Sequence, residues 1–141
     1  MSMDKIFGIA GTALNAQLTR MNSTASNLAN AGTVSATEQD AFRAKRPVFK
    51  ALISEEMTHP GAAYKGGVKV DRMADDSAPP RRVSDPTNPL ADKDGYVYQS
   101  NVSEVTEMVE MMAAARSYQN NVEVINTARQ LMMRTLDISK A

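Results

Sequence analysis

The sequence predicts a mainly α fold in which long N- and C-terminal helices form a coiled coil, with a small irregular β-rich insert between them. Two observations support this. Apolar residues recur at alternating steps of three and four near both ends of the chain, and all six prolines lie between those ends. The expected parts are an N-terminal helix over 1–32, a polar loop with a β/Pro-rich insert over 33–99, and a C-terminal helix over 100–141.

The C-terminal helix has the more regular apolar stripe. No Gly or Pro follows Asn101, and strong helix formers dominate this segment. Asn101 is the expected N-cap, with Glu104 three residues later. One polar residue, Arg129, lies in the same register as the apolar stripe. The flanks of the stripe are polar, so only one face of the helix is expected to need a partner. The stripe consists of Met108, Met111, Ala115, Tyr118, Val122, Ile125, Met132 and Leu136.

The N-terminal helix is the expected partner. Asp4 can cap its start, and Gly32 can end it in a left-handed conformation. Two members of its stripe are Gly and Ala, so the buried apolar area barely offsets the entropy of ordering two long helices. We therefore expect the terminal helices to become fixed only in an assembly. The stripe consists of Phe7, Gly11, Leu14, Leu18, Met21, Ala25 and Leu28.

The insert is predicted to hold three short strands joined by loops. The strands are expected over 47–54, 68–70 and 96–98, the last preceded by a tight turn at Asp94 and Gly95. Residues 33–46 and 55–63 are predicted loops. Residues 74–94 contain four prolines and are predicted to be an irregular surface excursion.

Composition excludes several classes of function. Sixteen basic and sixteen acidic residues cancel, so charge does not indicate nucleic acid or an anionic membrane as a partner. The chain has no Cys, which excludes disulfides, thiolate metal sites and Cys nucleophiles. We expect neither a secretory signal peptide nor a transmembrane span, and therefore a protein that is soluble when made.

No group of residues predicts catalysis, a cofactor or a metal site. Asp92, Asp94 and Gly95 resemble part of a calcium loop, but the further acidic ligand and the closing Glu are missing, so a turn is expected. His59 is the only histidine and has no second ligand nearby. Without a base, no Ser is a credible nucleophile. We therefore predict that the chain is not an enzyme.

Two segments match a known pattern. The first is the run Asn27-Leu-Ala-Asn30-Ala-Gly-Thr33, and the second leads from Ser100 through the Glu107 region to Arg116-Ser-Tyr118-Gln-Asn120. Together they resemble the bacterial flagellar axial proteins of the rod and hook. Other members usually continue from the Thr into Gly and an aromatic residue. The polar run over 31–49 and the segment over 88–97 instead resemble the short proximal rod type.

This resemblance implies a structural subunit of the proximal rod of the flagellar basal body. Such a subunit assembles helically with copies of itself and with other rod proteins, into the drive shaft that spans the periplasm. The resemblance also implies transit through the flagellar type III export apparatus, which needs no secretory signal peptide. It implies no catalysis and no cofactor. From charge and hydropathy we also expect no nucleic-acid partner and no membrane insertion.

The predicted helices give the candidate residues packing roles. The two apolar stripes are expected to face each other, and polar residues such as Arg116 and Asn120 to meet neighbouring subunits or line the tube. Asn27 and Asn30 are expected to bond backbone groups where the helix ends, either as a joint or as plain capping. The assembly and packing residues are Phe7, Leu14, Leu18, Met21, Asn27, Leu28, Asn30, Thr33, Asn101, Met108, Met111, Arg116, Tyr118, Asn120, Val122, Ile125, Met132 and Leu136.

Two other classes of function stay open on the sequence alone. One is a coiled-coil adaptor that dimerises in the cytoplasm, which would not leave the cell. The other is a small binding enzyme with its site in the insert. The Pro-rich polar composition of the insert argues against a preformed ligand pocket there.

Overall fold

The computed structural model describes residues 3–52 and 66–139. Helix α1 spans Met3–Ala29 and helix α2 spans Glu104–Ser139. None of the helical residues in these two ranges forms a stretch long and apolar enough to cross a membrane. Five strands lie between the helices: β1 Val34–Ser35, β2 Lys45–Ala51, β3 Val68–Asp75, β4 Arg81–Ser84 and β5 Tyr96–Gln99.

The strands form two antiparallel sheets. The first has the order β1-β5-β4, and its register pairs Val34 with Gln99 and Val83 with Val97. Val97 lies in the central strand and is buried, which suits a β-branched side chain. The second sheet pairs β2 with β3. The predicted turn before β5 is present, and Gly95 takes a φ of 80° that only Gly adopts readily.

The chain folds as two compact units. The first comprises Met1–Thr19, Val48–Arg72 and Ala113–Ala141, and the second comprises Arg20–Pro47 and Met73–Met112. In the second unit, Ala31, Ala44 and Val102 form a small core against which Phe42 packs; we call these four residues the small core.

In the first unit, α1 lies close to the backbone that leads into β3. The Thr12 hydroxyl accepts a hydrogen bond from the Val68 amide at 3.1 Å. A Cβ atom at Gly67 would lie 2.8 Å from that same hydroxyl oxygen. Gly67 therefore permits an approach that a larger residue would block.

The predicted fold class, a mainly α coiled coil with a small irregular insert, is wrong. Helix makes up 51% and strand 20%, and the strands are ordered into two sheets. The four prolines over 74–94 suggest an irregular segment, but none of them lies within a strand, so they leave the strands of this region intact. Pro79 and Pro80 precede β4 and Pro86 follows it, where a missing N–H interrupts no ladder.

The inward face of α2 also differs from the predicted stripe. Positions 107, 111, 114, 118, 121, 125, 128 and 132 are all buried or half-buried, again at steps of four and three. Met108 and Leu136 of the predicted stripe are instead 57% and 49% exposed. The prediction followed side-chain size, whereas the fold buries the small residues Ala114 and Ala128.

The inward residues of α1 are also smaller than predicted. Leu18 is 41% exposed and Ala25 is exposed, while the other predicted apolar residues of this helix are half-buried. The residues that are buried instead are Ala10, Ala16, Ser23, Thr24 and Asn27.

Candidate functional site

Asn27 joins three elements of the second unit. Its side chain is fully buried, and its Oδ1 accepts a hydrogen bond from the Lys45 amide at 2.7 Å. Its Nδ2 donates to the Lys45 carbonyl at 3.0 Å and to Glu107 Oε2 at 2.9 Å. Both amide hydrogens and the oxygen are therefore used. The last turn of α1, the first residue of β2 and the first turn of α2 are held by one side chain.

Glu107 is the partner of Asn27 on α2, and it has no solvent exposure. Its Oε1 lies 2.8 Å from Arg46 Nη2, a close ion pair rather than a well-directed hydrogen bond. Arg46 also lies 3.6 Å from Asp76 Oδ2. A carboxylate taken out of water is costly unless a cation and hydrogen bonds compensate it, and Arg46 and Asn27 supply both.

Further contacts of the second unit hold Lys45 in place. The Ser23 hydroxyl donates to the Lys45 carbonyl at 2.6 Å, so this carbonyl accepts two hydrogen bonds from α1. The Lys45 ammonium pairs with Asp75 across the second sheet. We call the set Ser23, Asn27, Lys45, Arg46 and Glu107 the joint.

The residues before α2 bond to three other connecting segments of the second unit. The Asn101 Oδ1 accepts from the Ala44 amide at 2.8 Å, and its Nδ2 donates to the Ala78 carbonyl at 2.7 Å. The Ser100 hydroxyl donates to the Ala31 carbonyl at 2.7 Å. The prediction of Asn101 as N-cap is therefore wrong, because its side chain is used elsewhere.

Ser103 occupies the capping position of α2. Its carbonyl accepts from the Glu107 amide at 3.0 Å, and its hydroxyl lies 3.5 Å from the Thr106 amide. The helix begins one residue later, at Glu104. A serine hydroxyl aimed at the first turn is the arrangement expected of an N-cap.

Asn30 and Thr33 close the other end, that of α1. The Asn30 Nδ2 donates to the Ser26 carbonyl at 2.8 Å, and the Thr33 hydroxyl donates to the Asn30 carbonyl at 2.8 Å. Gly32 does not take a left-handed conformation. These side-chain bonds, rather than a glycine, satisfy carbonyl groups at the helix end. The sequence left two interpretations open for Asn27 and Asn30, a joint or plain capping. In the structure, Asn27 bonds to β2 and α2, whereas Asn30 caps the end of α1.

Known proteins share both helical segments. The family model described as "Flagella basal body rod protein" matches residues 7–37, and that described as "Flagellar basal body rod FlgEFG protein C-terminal" matches residues 93–138. The flagellar basal-body rod protein FlgC of Escherichia coli O6:H1 is 48% identical over 140 residues, covering 99% of this chain and 100% of the relative. The chain belongs to the FlgC family of flagellar basal-body rod proteins.

Other members of the FlgC family are similar over nearly the same length. FlgC of Salmonella typhimurium is 46% identical over 99% of this chain, and FlgC of Bacillus subtilis is 33% identical over 94% of it. The chain is thus a structural subunit of the flagellar basal-body rod, and it is located there. This confirms the resemblance. The family is one of structural proteins rather than enzymes, and rod membership implies assembly with other rod proteins.

The predicted assembly residues of this FlgC-family chain fall into three groups by exposure. Asn27 is buried, whereas Leu18, Thr33, Met108, Arg116, Asn120 and Leu136 are exposed. The half-buried group consists of Phe7, Leu14, Met21, Leu28, Asn30, Asn101, Met111, Tyr118, Val122, Ile125 and Met132.

The sequence predicts a site role for only one residue of the joint, Asn27. The polar face of the N-terminal helix includes Ser23, the polar flank of the C-terminal stripe includes Glu107, and the predicted loop over 33–46 includes Lys45 and Arg46. A signal for Glu107 was available, because it stands seven residues before Ala114 and fourteen before Asn121, in one continuous 4-3 series. The series was passed over because its first member is charged and its later ones are small or polar.

The segment that resembles a calcium loop is a turn held by its own backbone. Asp92 Oδ1 accepts from the amides of Asp94 and Tyr96, each at 2.9 Å, and its Oδ2 lies 3.3 Å from Arg82 Nη2. The Arg82 guanidinium lies 3.9 Å from the centroid of the Tyr96 ring. The Tyr96 amide, followed by the Asp94 amide and the Arg82 charge, holds the pKa of Asp92 below its usual value despite desolvation.

Within residues 3–52 and 66–139, no group of three or more His, Asp or Glu side chains could hold a metal ion. His59 and the predicted loop over 55–63 lie outside the described residues, as do the last two residues of the strand predicted over 47–54.

Proposed function

We propose that the chain is a non-catalytic subunit of the proximal part of the rod, built into a helical assembly with copies of itself and other rod proteins. The observation that supports a purely structural role is the joint. Asn27 and Glu107 have no solvent exposure, and their polar atoms are directed at each other, at the Lys45 backbone or at Arg46. A site arranged in this way orients the two helix ends and offers no free group to a substrate.

The proposal extends to the route by which the subunit reaches the rod. The chain would pass through the flagellar type III export apparatus and cross the periplasm as part of the drive shaft. It would bind no nucleic acid and insert into no membrane. Equal numbers of acidic and basic residues support the absence of a nucleic-acid partner.

The candidate assembly residues have two roles in this proposal. Half-buried side chains such as Ile125 and Met132 pack within the chain, and exposed ones such as Met108, Arg116 and Leu136 meet neighbouring subunits. The parts over 1–32, 33–99 and 100–141 are proposed as units of sequence organisation, with assembly contacts concentrated in the first and last. Exposed large apolar side chains on α2 support this, since isolated soluble subunits rarely leave so many uncovered.

The test is deletion of the gene in the parent bacterium, followed by complementation with the full chain or with a chain that lacks residues 125–141. We expect the deletion to stop rod formation and swimming, and only the full chain to restore both. Electron microscopy of isolated basal bodies provides the measurement. Deleted cells that still swim and contain complete rods would refute the proposal.

A further inference from the structure

The first turns of α2 leave an apolar strip uncovered, with an acidic residue before it. Val105, Met108, Val109 and Met112, which we call the ridge, are 74%, 57%, 55% and 63% exposed. Their spacing is i, i+3, i+4 and i+7, so they lie on one side of the helix. Glu104 precedes them and is exposed too. Large apolar side chains grouped in this way mark a surface that another chain covers.

The later turns of α2 carry a groove of about 450 Å³, which we call the basic groove. In it, Arg129 and Arg134 flank Met133, which is 53% exposed. The aliphatic stem of an arginine covers apolar surface while its charge stays in water, so this groove suits a partner that is both apolar and acidic. The basic groove is lined by Glu123, Asn126, Arg129, Gln130, Met133 and Arg134.

The charges of these two surfaces are not compensated inside the chain. Among the described residues, Glu104, Arg129 and Arg134 take part in no ion pair. Basic residues outnumber acidic ones in the first unit, which holds the basic groove, and acidic residues outnumber basic ones in the second unit, which holds the ridge. Overall neutrality therefore conceals opposite charges, and these favour contact between the first unit of one copy and the second unit of another.

The side-chain spacing of the two surfaces matches when two α2 helices run in the same direction. Glu104 and Met108 stand four residues apart, and so do Arg129 and Met133. Four residues make about one turn, a rise of about 6 Å, so the charged pair and the methionine pair form side by side. Flexible methionine side chains adapt to each other at such a contact.

Two further positions agree with this alignment. Glu123, the one acid of the basic groove, stands about 9 Å along the helix before Arg129, so it falls opposite the segment before α2 and away from Glu104. Val109 falls opposite Arg134, whose aliphatic stem is able to cover it. The parallel alignment therefore brings no like charges together on these surfaces.

The direction of the two helices also decides whether the contact repeats. An antiparallel pairing that joins Glu104 to Arg134 would place Met108 against the polar Gln130, and a two-fold pairing of this kind closes a dimer. A parallel pairing displaces each copy from the next by about 25 residues of helix, or about 37 Å. Such a displacement along the helix cannot close, so each copy offers its ridge to one neighbour and its basic groove to another. The contact is head-to-tail and extends an open assembly.

We propose that the ridge of one copy docks in parallel onto the basic groove of the next copy, with Glu104 facing Arg129. This inference rests on the proposed function, because it names the partner and the direction of one assembly contact. The occupant is a second copy because one sequence supplies both halves of the contact, an acidic apolar strip and a basic groove with the same spacing of one turn.

Disulfide cross-linking tests the contact and its direction together. The chain has no Cys, so the only thiols are those introduced. A chain that carries both Met108→Cys and Met133→Cys is expressed in the deletion strain, and the swimming cells are oxidised. The parallel contact joins position 108 of each copy to position 133 of the next, so denaturing electrophoresis should show a ladder of dimers, trimers and larger species. An antiparallel pairing gives a dimer and nothing larger.

Matched controls define the ladder. Chains with Met108→Cys alone or Met133→Cys alone have one thiol each and cannot extend beyond a dimer. A chain with Met108→Cys and Thr127→Cys has two thiols, but Thr127 is exposed outside the basic groove, about a third of a turn around α2 from Met133, and should give no ladder. A ladder from this control would overturn the inference, as would swimming cells in which the test chain gives only a dimer or no band.

Charge exchange provides a second test that needs no cysteine. Glu104→Arg alone and Arg129→Glu alone should each lower, several-fold, the amount of chain in isolated basal bodies, because like charges then meet. The two together should restore it. The control combines Glu104→Arg with Lys69→Glu, which changes the net charge equally at an exposed residue of β3. Rescue by the control, or no rescue by the combined exchange, would refute the pairing.

A failure of this contact differs from a failure of the proposed function. If the contact is wrong, the deletion still stops swimming and the full chain still restores it, but the ladder or the charge rescue is missing. If the proposed function is wrong, the deleted cells swim without any copy of the chain.

Discussion

The joint and the last turns of α2 are stabilised in different ways. At the joint, buried polar atoms meet partners at 2.6 to 3.0 Å, and α1, β2 and α2 are tied by directional bonds. In the last turns, only Ala128 is buried, while Leu131, Met133 and Ile138 are 51%, 53% and 78% exposed. The joint satisfies its polar groups within the chain, whereas the described last turns of α2 leave large apolar side chains exposed.

The largest expected effect comes from breaking the joint. Asn27→Ala removes the partner of the Lys45 amide and of the buried Glu107 carboxylate, so we expect a loss of about 3 kcal/mol in the free energy of unfolding. Urea unfolding followed by circular dichroism measures it. Asn22→Ala, on an exposed position of the same helix, is the control and should change stability little. Equal unfolding midpoints for the two variants would show that the joint contributes nothing.

The inward series of α2 can be tested with two adjacent alanines. Ala114 is fully buried and Ala113 is exposed. Ala114→Leu should destabilise the chain by about 1 to 3 kcal/mol through overpacking. Ala113→Leu should stay within about 0.5 kcal/mol of the wild type. Thermal unfolding compares the two, and a larger loss for Ala113→Leu would show that the inward face had been assigned to the wrong residues.

The smallest effect is expected at the Asp92 turn. Because amide hydrogen bonds lower the pKa of Asp92 in the folded chain, its ionised form stabilises the turn. This contribution is fully present above the unfolded value of about 3.9, and it is lost as pH falls through the lower folded value. An NMR titration of the Tyr96 amide should therefore show its midpoint below pH of about 3.9. A midpoint at or above that value would contradict the arrangement, and Asp92→Asn, which cannot titrate, is the control.

Prediction from the sequence succeeded where short-range rules decide the outcome. The two long helices follow from helix formers without interruption, and the turn at Asp94 and Gly95 follows from its composition. It failed for β4, because prolines on both sides of Arg81–Ser84 look like a continuous loop when strand partners are unknown. It also failed for Asn101, whose bonds to Ala44 and Ala78 join residues more than twenty positions away.

The sequence by itself determined the two helices and, through the segments around Asn27 and Arg116, membership of the rod family. Only the tertiary structure decided which residues of α2 face inward. Hydrophobicity favours burial of Met108, but in a close-packed interior a small side chain fits where a large one does not, and the fold buries Ala114 while Met108 stays 57% exposed. The tertiary structure also decided that Glu107 is buried, because a carboxylate leaves water only where its partners are already in place. Those partners, Asn27 and Arg46, are distant in sequence and meet Glu107 only in the folded chain.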